Sequence, residues 1–367
     1  MDKKYRYGEH YIDESDISAV IKTLESKCLT QGPIVEKFEN LIKDNFSFSY
    51  AIAVNSGTAS LHLVLKALDL KKDDEVIVPA ITFVATANVV EMCGAKVVFA
   101  DVEEDTLLIN TKDVVRKITK HTKAVIAVDM AGQLCNYKEL KKICTTRNLI
   151  LISDACHSFG INYFNENEKP DFVCFSFHPV KNITTGEGGM ILTDDSFSYE
   201  LMKCLRIHGM VQNKMVYLGY NYKMSDINAA LGISQYYKMD HFISRRNFIF
   251  SEYYYKLKKY SLNQLKFPVS NACHLYIIKV NNRDKVRQEL LNHGIQTQIH
   301  YVPVYDHPYY YLKHSSNLGE SIDKNVKCLN TEKIKNNILS IPIYCALTEK
   351  DVNYISNKIL EVIDKCK

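Results

Sequence analysis

No two of the eleven cysteines stand as C-x-x-C, and their number is odd. This excludes a zinc site of the common ligand spacing and a framework of paired disulfides. Most lie in apolar runs such as "EMCGAKVVF" and "DFVCFSF", where a reduced thiol packs as a small core group, so a cytoplasmic protein is expected. Neither sign of charge dominates. The 46 basic and 42 acidic residues leave a formal net charge of +4, with lysines spread along the chain. That balance argues against nucleic acid or a membrane surface as partner. No stretch reaches the ~20 consecutive apolar residues of a membrane span. The longest apolar region, from Val76 to Val90, is interrupted by Pro79, Thr82, Thr86 and Asn88. The opening "MDKKYRYGEHYIDESD" lacks the apolar segment of a signal peptide. G-x-x-x-x-G-K-[ST] is absent, and "TGEGGM" leads into a strand-like "MILTD" rather than opening a helix. Neither nucleotide fingerprint is therefore present.

What is present is alternation. At 367 residues the chain is long enough for two domains. "YAIAVNS", "DEVIVP", "KVVFADV", "TKAVIAVDM" and "LILISDA" read as strands apolar on both faces. Between them, "TASLHLVLKALDL", "TFVATANVVEMC", "TKDVVRKIT" and "NYKELKKICTTR" have helical periodicity. Such alternation implies βαβ units around a mostly parallel sheet, an α/β fold. Two further strands, near Phe172–Phe177 and Met190–Thr193, are joined only by a glycine loop and are expected to pair antiparallel. "SDINAALGISQYYKMD" opens on a serine N-cap, and a long helix from Phe242 to about Tyr260 leads onward. Beyond it "HLYIIKV", "IQTQIHY" and "NILSIPI" read as strands, and "RDKVRQELLNHG" and "KDVNYISNKILEVI" as helices. The expected division is a large domain over 1–245 and a smaller C-terminal α+β domain over 246–367.

In open α/β sheets ligands gather at the carboxyl edge of the strands. Four features fall there. Ser56, Gly57 and Thr58 open a helix directly after a strand, a setting that suits a phosphate. Asp154 ends a strand, with His157 just beyond. Phe83 follows the strand "EVIVP". Lys181 stands between Ser176 and the glycines Gly186, Gly188 and Gly189. Taken singly, each has a plain structural reading: a turn, a helix cap, a core aromatic, a solvated charge. Taken together they are the parts of a pyridoxal 5′-phosphate site. Lys181 would form a Schiff base with the aldehyde and Asp154 would keep the ring nitrogen protonated. His157 would sit near the ring hydroxyl and Phe83 over the ring face. Ser56, Gly57, Thr58 and Ser176 would take the phosphate. No metal is expected. The acidic turn at Glu103–Asp105 reads as solvated surface.

The chain resembles the DegT/DnrJ/EryC1/StrS sugar-nucleotide aminotransferases, a family of fold-type-I pyridoxal-phosphate enzymes. The resemblance rests on "LTQGP" (29–33), "NSGTASL" (55–61), "TFVATAN" (82–88), "SDACHS" (153–158), "SFHPVKNITTGEGGM" (176–190), "LGYNYKMSDINAALG" (218–232) and "HYVPVY" (300–305). It implies a homodimer with a shared active site, in which Asn221 reaches the cofactor phosphate of the neighbouring subunit. Within the family, "YGEHYIDESDISAV", "ESKCLTQG", "VDMAGQ", "HLYIIKV" and "IQTQIHYVPVYDHPYY" are most similar to members acting at C-4 in pseudaminic acid biosynthesis. That implies L-glutamate as donor and a UDP-linked 4-keto-6-deoxy-2-acetamido sugar of the β-L-arabino configuration as acceptor. By the same resemblance Tyr7, Lys27, Cys28, Leu29, Thr30, His300, Tyr301 and Pro303 would surround the sugar nucleotide. Asp129, where many relatives carry histidine, is part of that similarity, whereas the chain departs at Lys223, where arginine is frequent in the family, and at Gly186, where the loop keeps the general family form although members of the pseudaminic acid branch tend to vary. Amination of another nucleotide-linked keto sugar is the alternative. More remote ones are a sugar C-3 dehydratase, whose relatives replace the cofactor lysine with histidine, and a non-catalytic regulator.

Overall fold

The computed structural model describes residues 4–161, 165, 168–262, 271–316 and 328–367. Two helices, α1 (Glu14–Leu24) and α2 (Pro33–Phe46), precede β1 (Tyr50–Val54). Alternation then follows: α3 (Gly57–Ala67), β2 (Glu75–Pro79), α4 (Val84–Met92), β3 (Lys96–Ala100), α5 (Thr111–Lys117), β4 (Thr122–Val128), α6 (Tyr137–Arg147) and β5 (Ile150–Asp154). Strands β6 (Phe172–Ser176) and β7 (Gly189–Thr193) complete a seven-stranded sheet of order β1-β7-β6-β5-β4-β2-β3. Only β7 runs against its neighbours, pairing antiparallel with both β1 and β6. The short glycine loop imposes this, since a parallel partner would need a crossover of a dozen or more residues.

The two-residue alternation of each strand buries both faces. Ile52 and Val54 pack into the core that holds Leu61, Val64 and Leu65 of α3. Ala51 and Ala53 face the opposite core, with Phe38 and Ile42 of α2. Further along, Val125, Ala127 and Leu151 meet Leu140 and Cys144 of α6. A sheet covered on both faces by helices leaves its strand ends as the accessible edge. The carboxyl ends of β1, β2, β4, β5 and β6 share one such edge.

After α7 (Ser196–Arg206), a two-stranded hairpin of β8 (Met210–Val211) and β9 (Lys214–Met215), and α8 (Asp226–Tyr236), the chain enters α9 (Met239–Leu257). Ser225 caps α8 through Asn228 N–H, as the sequence predicts. The expected helix from Phe242 begins three residues earlier. Its later turns join a separate core with the antiparallel pair β10 (Tyr276–Lys279) and β11 (Ile338–Ile341). That core also takes residues of α10 (Arg283–Asn292) and α13 (Glu349–Lys365), and Tyr5 from the N-terminus. Between them in sequence stand α11 (Pro308–Ser316) and α12 (Leu329–Ile334).

"IQTQIHY" is not the strand its alternation predicts. It makes two isolated bridges, Ile295 to Tyr5 and Gln298 to Ser340. The two bridges go to different segments, so no continuous ladder forms. After Gln298 the chain leaves β11 and passes to the sheet edge. The cysteines are all free, as expected. Among the described residues no helix is long and apolar enough to cross a membrane, and no group of three His, Cys, Asp or Glu residues could hold a metal ion.

One contact joins the "LTQGP" and "MSDINAALG" motifs. The N-cap of α2 is Gly32, which has no side chain to cap with. Asp226, fully buried, supplies the missing acceptor. Its Oδ2 accepts from Gly32 N–H at 2.7 Å, and its Oδ1 from Ile34 and Val35 N–H at 3.1 Å each. Asp226→Ala leaves three helix-start donors without an acceptor and is expected to lower the unfolding free energy by about 2–4 kcal/mol. Urea denaturation of the cofactor-free protein measures this. A loss below about 0.5 kcal/mol would show that water replaces the carboxylate.

Candidate active site

A cavity of about 570 Å³ opens at the carboxyl edge of the sheet. Four sequence segments that start far apart meet in its wall. Ser56, Gly57 and Thr58 come from the β1–α3 turn, Phe83 and Thr86 from the start of α4, Asp154 and His157 from the end of β5, and Ser176 and Lys181 from the loop after β6. Every residue assigned to the cofactor from the sequence, apart from Asn221, lines this one space.

Local chemistry explains each position. Ser56 is the N-cap of α3, its hydroxyl accepting from Ala59 N–H at 3.1 Å. The next two residues have first-turn N–H groups with no intrahelical acceptor. Glycine is required at position 57, because a Cβ there would lie 2.7 Å from the Ser176 Cβ. Gly189 is constrained similarly, since its Cβ would lie 2.5 Å from the Ser56 carbonyl oxygen. These close approaches bring the α3 N-terminus, Ser176 and the glycine loop together, which forms a cradle of small groups suited to a phosphate. The loop itself is fixed by its own backbone. Lys181 N–H donates to the His178 carbonyl at 2.9 Å, and Phe177 N–H to the Gly188 carbonyl at 2.9 Å. Asn182, buried, donates to the Phe159 and Ala272 carbonyls.

Lys181 is half-buried and, among the described residues, its amine has no ion-pair or hydrogen-bond partner. Burial pushes its pKa below the ordinary lysine value, against the opposing pull of Cys156 and Asp154. A neutral amine is the reactive form for trapping a carbonyl. Asp154, buried, accepts from the Thr86 hydroxyl at 2.8 Å and from Cys156 N–H at 3.3 Å. Both donors fix the carboxyl group in the cavity wall, where it would pair with the nitrogen of a pyridine ring. The buried ring of His157 is pushed well below the usual histidine pKa, first by desolvation and then by Lys181 and His300. Phe83 is 55% exposed, so it is not the core aromatic that hydrophobicity alone would suggest. It stands at the α4 N-cap, 5.9 Å from the Tyr301 ring. An amine of lowered pKa, a buried carboxylate, a phosphate cradle and an aromatic lip form a donor set that fits pyridoxal 5′-phosphate.

The sugar-nucleotide residues divide. Tyr7, His300 and Tyr301 line the cavity. Pro303 is buried behind it. Lys27, Cys28, Leu29 and Thr30 are exposed and lie outside the cavity wall, with Thr30 bridged to Ser225. Asn221 and Lys223 are also outside it, paired to each other at 2.6 Å from the Lys223 amine to the Asn221 side-chain oxygen.

Three contributors were not assigned from the sequence. Thr86 lies one turn into α4, a spacing legible within "TFVATAN". His274 packs against His157 with ring centroids 4.4 Å apart and planes tilted by 38°, and the histidine opening "HLYIIKV" was the available signal. Asp129 lies beneath the wall, fully buried. It is held by Cys135 N–H, Tyr137 and Ser158, and its pKa is pushed up to about 7 by burial.

The model of the DegT/DnrJ/EryC1/StrS aminotransferase family matches residues 10–360. A Campylobacter jejuni protein named UDP-4-amino-4,6-dideoxy-N-acetyl-beta-L-altrosamine transaminase is 34% identical over 378 residues, covering 98% of each chain. Helicobacter pylori PseC, an aminotransferase involved in the biosynthesis of pseudoaminic acid, superposes with a TM-score of 0.90 at 29% identity, over 99% of this chain and 100% of that one. The PLP-form of Streptococcus pneumoniae Spr1654 superposes with a TM-score of 0.91 at 28% identity over the whole of both chains.

Proposed function

This chain belongs to the DegT/DnrJ/EryC1/StrS aminotransferase family, and on that premise we propose that it transfers the amino group of L-glutamate to C-4 of a UDP-linked 4-keto sugar. The acceptor is UDP-2-acetamido-2,6-dideoxy-β-L-arabino-hexos-4-ulose, on the route to pseudaminic acid. The chain is a pyridoxal-phosphate-dependent sugar-nucleotide aminotransferase, as its family is. One observation carries the site assignment: Lys181, Asp154, Ser56–Thr58 and Ser176 converge on a single cavity. Support for the sugar is the similarity to the Campylobacter and Helicobacter proteins.

Bound there, pyridoxal phosphate supplies a carbonyl carbon that carries the amino group and a ring that accepts an electron pair. The protein supplies the rest. Ser56, Gly57, Thr58 and Ser176 hold the phosphate at the α3 N-terminus, where the helix dipole favours an anion. Asp154, braced by Thr86, keeps a proton on the ring nitrogen. The Lys181 amine, its pKa lowered by desolvation, takes the proton from Cα of glutamate and later returns one to C-4 of the sugar, acting as base and then as acid. Phe83 and Tyr301 wall the cavity against water. Tyr7 and His300 face the sugar nucleotide. By the family resemblance Asn221 would reach the cofactor phosphate of a second subunit, with the Lys223 amine bonded to its side-chain oxygen.

The test is a panel of 4-keto and 3-keto sugar nucleotides incubated with L-glutamate and read by mass spectrometry. The β-L-arabino 4-ketose should gain the mass of one amine-for-ketone exchange and yield 2-oxoglutarate in equal amount. No product from it, with product from another ketose, would overturn the sugar and leave the activity standing.

A further inference from the structure

Asp129 ties together more of the site's supports than any residue that lines the cavity. Its Oδ1 accepts from Cys135 N–H at 3.0 Å and from the Tyr137 hydroxyl at 2.8 Å, and its Oδ2 from the Ser158 hydroxyl at 2.7 Å. Its own N–H donates to the Asp154 carbonyl at 3.1 Å, and its carbonyl accepts from Gly132 N–H at 3.0 Å. One residue thus joins the ends of β4 and β5, the approach to α6 and the segment that carries His157. The turn it anchors has Ala131 at φ 62° and Gly132 at φ 92°. A left-handed alanine persists only where surrounding bonds hold it.

That turn aims Ala131 N–H at Nδ1 of His157, at 3.3 Å. A backbone N–H can only donate, so Nδ1 is an acceptor and a neutral ring carries its proton on Nε2. Nε2 lies 3.2 Å from the Tyr301 hydroxyl oxygen. The ring therefore donates to Tyr301, and the hydroxyl's own proton is left for another acceptor. Tyr301 lines the cavity. The other groups facing this pair are His274, His300, Lys181, Asp154, Cys156 and Tyr7. His274 and His300 are held neutral by burial, as His157 is, and Tyr301 is pushed far above the usual tyrosine pKa by burial first. The His157–Tyr301 pair therefore keeps one protonation state through the neutral range, whereas Asp129, pushed up to about 7, titrates within it.

We infer that Asp129 is a positioning residue: through the Met130–Gly132 turn and Ser158 it fixes the tautomer of His157, so that Tyr301 presents a hydroxyl proton to an oxygen of the molecule bound in the cavity. The inference rests on the pyridoxal-phosphate reading of that cavity. The oxygen is the cofactor's ring oxygen or the sugar's keto oxygen, and two readouts separate them.

The first readout is the pH midpoint of the visible absorbance of the loaded, substrate-free protein. The second is KM for the 4-keto sugar. If the cofactor oxygen is the acceptor, Tyr301→Phe removes a donor to an anionic oxygen and moves the midpoint upward by about half to one pH unit. If the sugar oxygen is the acceptor, the midpoint stays and KM rises roughly threefold to tenfold. In either case Asp129→Ala displaces the same readout in the same direction, and the double variant goes no further than the larger single one. Asp129→Asn keeps an acceptor, and the Tyr137 and Ser158 hydroxyls can turn to accept from its amide, so it should restore the wild-type value. Thermal melts of the cofactor-free variants identify any that do not fold. If Asp129→Ala is one, Ser158→Ala, which removes the 2.7 Å bond to Asp129 and a longer one to the Ala155 carbonyl, is read in its place. A folded variant at wild-type values in both readouts, or a double variant whose effect is the sum of the singles, would overturn the inference. A colourless wild type would instead remove the cofactor reading beneath it.

Discussion

Replacing Lys181 with alanine is expected to reduce glutamate-dependent turnover by about 10²–10⁴-fold, the usual contribution of a positioned general acid–base. The physical argument concerns the state of the amine. Lys181 sits in the cavity wall without an ion-pair or hydrogen-bond partner among the described residues, and burial lowers its pKa. That combination is unfavourable for a structural lysine, because a buried cation normally pairs. It suits a nucleophile and proton shuttle. Two further outcomes separate this role from a folding effect. Borohydride should fix the cofactor to the wild-type protein at Lys181, found by peptide mass spectrometry, and to no residue of Lys181→Ala. The variant should also melt close to the wild type in the absence of cofactor, since it loses no hydrogen bond. Transamination by Lys181→Ala at the wild-type rate would refute the proton-transfer role.

The second large effect is expected at Asp154. Asp154→Ala should lower kcat by about 10²–10³-fold, comparable to loss of one preorganised electrostatic partner, while KM for glutamate changes little. In the proposed reaction the Asp154 carboxylate would act where charge develops, on the ring that accepts the electron pair, rather than on the donor's own carboxylates. Thr86→Val is the graded control. It removes the 2.8 Å hydrogen bond to Asp154 Oδ2 but leaves the charge and Cys156 N–H in place. A fall of roughly 3–10-fold is expected there. Equal losses in Asp154→Ala and Thr86→Val would mean that the carboxylate serves packing rather than charge.

The readability of this site followed the range of the interactions involved. The α3 side of the proposed phosphate cradle was legible because its logic is local: the end of β1, a serine N-cap, a glycine and the first turn of α3 fall within residues 54–60. The antiparallel β6–β7 pair was legible for a similar reason, since too few residues separate the two for a crossover. Helices α1 and α2 were not assigned. Part of what fixes α2 is remote, for its N-terminus is capped by Asp226 from α8. The "IQTQIHY" segment showed the opposite error. Its alternation is real, but its two bridges go to Tyr5 and to Ser340, and it leaves the sheet to carry His300 and Tyr301 into the wall. A two-residue period records which faces are buried and does not record what lies beside them.

The sequence by itself determined the α/β class, the mostly parallel sheet and the segments that carry Asp154, Lys181 and Ser56–Thr58. Those depend on hydrophobic period, turn chemistry and short spacing, all of which act between near neighbours. Tertiary structure alone decided that these segments share one cavity, that Thr86 braces Asp154, and that the left-handed turn at Ala131 meets His157. It also decided that Asn221 and Lys223 stand outside the cavity wall while Tyr7, His300 and Tyr301 line it. These relations join residues tens to hundreds of positions apart. Strand order and helix packing set them, and no local periodicity encodes either.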